Sequence, residues 1–289
     1  MNKNFEIPST NEVMELLAKR LSGNSLSFEE TESIGRYYIL KAPQHIYRYR
    51  PANLREIEAL TKNKIWFSRI SELNDPFESH FNIDIESIIS VDNDIKNTMC
   101  NMSFEEKQAI FEIVSNTIKG SSDYQKVSEI FNDGALACFS EKNNSLLMWG
   151  HYANGHRGIC VEYNTIELNR TSNKTIIPVD YSDKLPVFAS ADETSVIRFF
   201  LQTIRTKCTD WDYEDEWRCV QDKGACGENW SPKGALLDSS PPTAIYVGCE
   251  ADDVFVEYLA HICKNTLKIP LYKMTKSKDE YKLLPKLIT

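Results

Sequence analysis

Apolar and polar positions alternate along His45-Ile46-Tyr47-Arg48-Tyr49-Arg50, and a proline at 51 stops the run, which predicts a half-buried strand. Shorter apolar runs predict further strands at 64–68, 134–140, 158–163, 176–181, 217–221, 243–248 and 269–273. Between them the period lengthens to helical spacing. Thr10 or Asn11 is expected to cap a helix over 12–21, and Ser27 with Glu30 forms a capping box for a second. Helices are also expected at 53–60, 145–153, 193–207 and 251–265. Residues from about 84 to 133 read as an acidic helical insertion, with Ser103 opening a helix that carries Phe104, Ile110, Phe111, Val114 and Ile118 on one stripe. Residues 223–243 read as a loop rich in Gly, Pro and Ser.

Strands separated by unequal helical segments, with few clean βαβ units, predict an α+β fold. Residues 1–44 form a helical N-terminal extension, and residues 45–289 form a single α+β domain that holds the insertion. Neither G-x-G-x-x-G nor G-x-x-x-x-G-K-[ST] occurs in the chain, which argues against a Rossmann or P-loop nucleotide site.

Composition changes this picture little. The formal charge of −9 argues against broad binding to nucleic acid or an acidic membrane. No apolar run has spanning length and the start is polar, so a cytoplasmic protein is expected. The eight cysteines form no C-x-x-C pair and are expected to be reduced, several of them as small core hydrophobes.

The candidate chemistry lies in Trp211-Asp212-Tyr213-Glu214-Asp215-Glu216-Trp217-Arg218. On an extended strand Glu214, Glu216 and Arg218 would share one face and the aromatic residues the other. A Glu-x-Glu between aromatic anchors suits carboxylates placed for a reaction, and it suits an ion-paired strand face with Arg218 and Arg48 as partners equally well. His151 and His156 lack the i, i+4 spacing of a helical zinc pair, and Asn74-Asp75-Pro76 reads as an Asx turn.

Four segments resemble a bacterial family known as domain of unknown function 2971: Tyr47-Arg48-Tyr49-Arg50, Asn74-Asp75-Pro76-Phe77-Glu78, Cys138-Phe139-Ser140 continuing to Met148 through Gly158, and Glu214 through Arg218. With Ile245-Tyr246-Val247-Gly248 the likeness runs over about residues 45–289. More distantly, the strand at 46–49, the helix with Asn53, Leu54 and Ile57, and Ile65-Trp66-Phe67-Ser68 resemble the start of bacterial ADP-ribosyltransferases. That resemblance implies mostly antiparallel, split sheets with flanking helices, and NAD as substrate with no metal. It also implies roles. Arg48 would contact NAD, with Tyr47 beside it. Ser140 or Tyr152 would shape the nicotinamide pocket, and Trp149 or Tyr152 would offer it an aromatic face. Glu216 would act at the ribose and Glu214 toward an acceptor. Cys138-Phe139-Ser140-Glu141 departs from the Ser-Thr-Ser triplet of that class, which leaves the choice of middle residue open.

The expected activity is ADP-ribosyl transfer to a protein or nucleic acid, or hydrolysis of NAD; the kind of bacterial family suggests a toxin or anti-phage effector. Two alternatives stand beside it. One is a non-catalytic nucleotide- or partner-binding module. The other is a nuclease or hydrolase using Asp75, Glu78, Glu214 and Glu216 around a divalent ion. Residues 1–44 are a candidate surface for a partner protein.

Overall fold

The computed structural model describes residues 7–83, 99, 102–171, 175–188 and 193–289. The strands are β1 (His45–Arg50), β2 (Lys64–Arg69), β3 (Asn82–Ile83), β4 (Gly134–Ser140), β5 (Ile159–Asn164), β6 (Thr175–Pro178), β7 (Asp180–Tyr181), β8 (Val187–Phe188), β9 (Thr206–Lys207), β10 (Glu216–Asp222), β11 (Gly234–Asp238), β12 (Ala244–Val247), β13 (Leu271–Lys276) and β14 (Leu283–Leu287). The helices are α1 (Thr10–Leu21), α2 (Phe28–Leu40), α3 (Leu54–Thr61), α4 (Phe104–Lys119), α5 (Ser122–Asp133), α6 (Leu146–Tyr152), α7 (Thr165–Arg170), α8 (Glu193–Arg205), α9 (Lys223–Cys226) and α10 (Asp253–Ile262). The fold is α+β, with helices flanking a mostly antiparallel sheet.

Ten strands make the main sheet in the order β11-β2-β4-β1-β5-β12-β13-β14, with β10 on the other edge of β4 and β6 beyond it. Its ladders are antiparallel except β12 with β13. The feature that shapes the molecule is β4. One edge of it pairs along its whole length with β10, from Gly134↔Asp222 to Ser140↔Glu216. The other edge is shared by two strands: β2 meets it at Ala135 and Leu136, and β1 meets it at Ser140. Between these contacts β1 and β2 diverge and leave a wedge over Cys138.

The main core lies against the β10, β4 and β2 side. Val13, Leu17 and Tyr37 of the first two helices are buried in it with Phe200, Leu201 and Ile204 of α8 and Phe139 and Trp217 of the sheet. The polar N-terminal segment is therefore packed on the sheet, with the Tyr38 hydroxyl donating to the Ile176 carbonyl. Ser9 caps α1 in place of the expected Thr10 or Asn11, because Ser9-x-x-Glu12 completes a reciprocal capping box. A second cluster, with Tyr49, Trp149, Cys160 and Met274, covers the opposite face under α6. A third, around Val127, Phe188 and Phe199, seats α5.

Several expectations shift. The stretch expected to be a loop at 223–243 contains α9 and β11, the final expected strand begins at Leu271, and β14 follows it. Of the helical insertion, residues 84–98, 100 and 101 lie outside the described residues, and so does Cys100; α4 and α5 form as expected. The other seven cysteines are free thiols. Among the described residues no helix is long and apolar enough to cross a membrane.

The loop after α6 is held by close backbone contact. Asn154, Gly155 and His156 all have left-handed φ values, 49°, 59° and 64°. The Gly248 amide donates to the Gly158 carbonyl at 2.9 Å, and a Cβ at Gly248 would stand 2.0 Å from the His156 carbonyl oxygen. Backbone cannot yield as a flexible side chain does. Gly248→Ala is expected to cost about 1–3 kcal/mol in urea unfolding, in line with other overpacked sites; an unchanged midpoint would contradict this packing.

Candidate functional site

The wedge between β1 and β2 opens into a cavity of about 240 Å³ whose wall includes Tyr47, Arg48, Tyr152, Glu214 and Glu216. Its floor is the β4–β10 ladder. Ser140 pairs with Tyr47 on one side and with Glu216 on the other, so one row of residues crosses β1, β4 and β10. The chain from Leu73 to Glu78, after β2, forms one side, and α6 forms another.

A buried ionic cluster lies under the cavity. Arg218 is 1% exposed and grips two carboxylates: its Nη1 and Nη2 reach the Glu78 oxygens at 2.6 and 2.8 Å, and its Nε reaches Glu216 Oε1 at 2.9 Å. Lys207 Nζ bridges Glu214 Oε2 at 2.5 Å and Glu216 Oε2 at 3.0 Å, and it sits 4.8 Å from the centre of the Trp211 ring. Glu214 Oε1 accepts from the Tyr152 hydroxyl at 2.6 Å, and that hydroxyl accepts from Asn74 Nδ2 at 3.0 Å. Three carboxylates (Glu78, Glu214, Glu216) thus share two cations (Lys207, Arg218), leaving one negative charge in excess. Charges are removed from water here only because each has close partners.

The two glutamates titrate in opposite directions. Burial works against the Glu216 carboxylate, but Arg218 and Lys207 outweigh it and hold its pKa down at about 2. For Glu214 burial dominates and raises the pKa, with Lys207 opposing and Glu216 adding to the rise. Paired carboxylates pushed apart in this way suit one ionised group and one proton carrier. The linkage has a definite sign for each. Glu216, lowered from its ordinary 4.5, contributes stability that is complete above 4.5 and is lost as the pH falls toward 2. Glu214, raised from 4.5, is costly when ionised, so its contribution improves as the pH falls through its raised value toward 4.5. Thermal unfolding between pH 7 and 3 is expected to show Glu216→Gln flatter than wild type below pH 4.5 and Glu214→Gln flatter above it; the reverse assignment would contradict the geometry.

Arg48 lies in the wedge and donates through Nη2 to the Trp66 carbonyl across the gap, with its guanidinium 5.8 Å from the Phe139 ring centre. Burial, and then Arg50, lower its pKa to about 10. It is not an ion-pair partner of Glu214 or Glu216; Arg50 pairs with Glu56 instead. Ser140 is fully buried, and its Oγ accepts from the Lys142 amide. Trp149 is 0% exposed in the core under α6, with Nε1 donating to the Asn143 carbonyl. His151 meets the Tyr213 hydroxyl, while Asp75 closes the expected Asx turn on the Phe77 amide.

The local form of the Glu-x-Glu segment differs from the expected strand. Thr209–Glu214 is a 3₁₀ turn, Asp215 takes a left-handed φ of 42°, and the strand begins at Glu216. The chain must reverse between β9 and β10 in eight residues, and the turn lets Glu214 and Glu216 converge on Lys207 from two directions. Sequence reasoning missed Lys207 altogether and saw Glu78 only as a candidate metal ligand. An isolated lysine in Thr206-Lys207-Cys208 carries no local signal of burial.

Comparison with known proteins is sparse. Residues 148–219 match the family model of a protein of unknown function (DUF2971), a stretch that runs from the helix bearing Tyr152 through Lys207 to the strand bearing Glu216 and Arg218. The comparisons with curated proteins and with solved structures each returned no match.

Proposed function

We propose that the chain cleaves the nicotinamide–ribose bond of NAD and passes the ADP-ribosyl group to water or to a macromolecular acceptor. The observation that supports this reading is the adjacency of β1, β4 and β10, by which Tyr47, Arg48 and the Glu214/Glu216 pair line one cavity although they are distant in sequence, while Ser140 is buried beneath it. Cleavage leaves the bonding pair on neutral nicotinamide and builds positive charge on the ribose. A carboxylate preorganised beside the ribose stabilises that charge better than water would. Arg48, which lines the same cavity, suits the phosphates of the same substrate, and Tyr47 lies next to it. Tyr152 hydrogen-bonds the carboxylate at the floor.

The metal-dependent alternative is less well supported, because of its four carboxylates only Glu214 is held by neither Arg218 nor a turn. Both Glu78 oxygens and Glu216 are engaged by Arg218, and Asp75 is engaged by its own turn. The test is incubation of the full chain with NAD carrying labelled nicotinamide, with NADH as control because it lacks the cationic ring. Nicotinamide release that persists in chelator is expected. Thermal stabilisation by NAD without turnover would favour the binding module, and neither effect would end the reading.

A further inference from the structure

We propose that Lys207 is a positioning residue that leaves Glu214 as the carboxylate open to substrate, while Glu216 is committed to holding Lys207 and Arg218. This rests on the NAD reading above. A carboxylate has about four acceptor positions. Three of those of Glu216 are taken, by Arg218 Nε on Oε1 and by Arg218 Nη2 and Lys207 Nζ on Oε2. A ribose hydroxyl would meet two buried cations there. Glu214 has two partners, the Tyr152 hydroxyl on Oε1 and Lys207 on Oε2, and it lines the same cavity. Each of its oxygens keeps an acceptor position.

The groups facing Lys207 come from several elements. Glu214 belongs to the 3₁₀ turn, Glu216 and Arg218 to β10, and Cys138 to β4. Tyr181 of β7 accepts from the Glu216 amide, and Tyr152 of α6 closes the far side of Glu214. In this arrangement Lys207 acts through its ion pairs, fixing both the rotamer and the charge of Glu214. When the acceptor oxygen or nitrogen bonds to the ribose C1′, the nicotinamide leaves with the pair of the broken C1′–N bond, and the acceptor proton passes to a Glu214 oxygen. Such a base must be ionised to work, so Lys207 sets the acidic limb of the rate.

The experiment compares Glu214→Gln, Glu216→Gln, Lys207→Met and Lys207→Arg in the full chain, reading nicotinamide release from NAD against pH together with the melting temperature. Glu214→Gln is expected to lower kcat more than 100-fold with little change in melting temperature. Glu216→Gln is expected to lower the melting temperature, with a loss of kcat per folded molecule at least tenfold smaller than that of Glu214→Gln. Lys207→Met should move the acidic limb of kcat upward by a pH unit or more at little changed KM, and Lys207→Arg should move it back. An unmoved limb in a folded Lys207→Met protein, or the larger kcat loss in Glu216→Gln at unchanged melting temperature, would overturn the proposal. Should wild type release no nicotinamide, the NAD reading fails by itself. The positioning role is then read from carboxylate titration of carbon-13-labelled Glu214, where an equal midpoint in wild type and Lys207→Met overturns it. Where Lys207→Met does not fold, the same comparison is made with Lys207→Arg against Lys207→Gln.

Discussion

Replacing Arg218 with methionine is expected to destabilise the protein by about 3–5 kcal/mol at pH 7, the range found when one partner of a buried ion pair is removed. Methionine fills much of the same volume, so the loss is chiefly electrostatic. The guanidinium is 1% exposed and serves Glu78 and Glu216 together, whose side chains are 5% and 3% exposed. Without it, among the described residues, Glu78 keeps no cation and Glu216 keeps only Lys207. The effect has a pH signature. Protonated carboxylates do not need the arginine, so the gap between variant and wild type should narrow as the pH falls below 4.5, the ordinary value from which Glu216 is lowered. Urea midpoints at pH 7 and pH 4 measure both predictions. A loss below about 1 kcal/mol at pH 7, the scale of an exposed pair, would mean that the cluster is hydrated and that its carboxylates are not held as described.

The second large effect concerns Trp149. Trp149→Ala is expected to cost about 3–5 kcal/mol, the usual range for emptying a buried tryptophan site. Its ring stands edge-on to Tyr49 at 5.3 Å between centres, and its indole N–H is satisfied inside the fold. Tyr152 follows on the same short helix, so the loss of this anchor should also loosen the Tyr152–Glu214 hydrogen bond and lower turnover. Trp149→Phe separates the two roles open to this residue. A packing anchor predicts a smaller stability loss with KM for NAD unchanged in the proposed reaction. A residue stacked on nicotinamide predicts a large rise in KM with stability nearly intact, and that result would contradict its place in the core.

Trp149 also illustrates what can and cannot be read from a sequence. The short helix at 145–153 is legible in the sequence, and the resemblance assigns Trp149 or Tyr152 to the nicotinamide. Which ring faces the cleft depends on the packing of α6 against β1 and β5. Tyr152 lines the cavity, and Trp149 turns into the second core. The same holds for Ser140: its strand was legible from a run of apolar residues, but its hydroxyl is spent on the Lys142 amide.

Element type followed from local order over most of the chain. Alternation in β1, the capping box of α2, and the apolar stripe of α4 are short-range patterns, written within a few residues by side-chain periodicity and cap chemistry. The α+β class and the nearness of two glutamates at 214 and 216 followed in the same way. The divided edge of β4, the wedge it opens and the buried cluster were decided only by tertiary structure. Strand order joins residues about 170 positions apart, as Tyr47 and Glu216 are joined through Ser140, and no local period encodes such pairings. Lys207 is the clearest case. Its sequence neighbours mark it as an ordinary surface lysine, and it becomes the counter-ion of two glutamates because the 3₁₀ turn at 209–214 folds them back over it. The charge of a side chain is local, but its partner is set by the fold, since burial removes the water that would otherwise screen it.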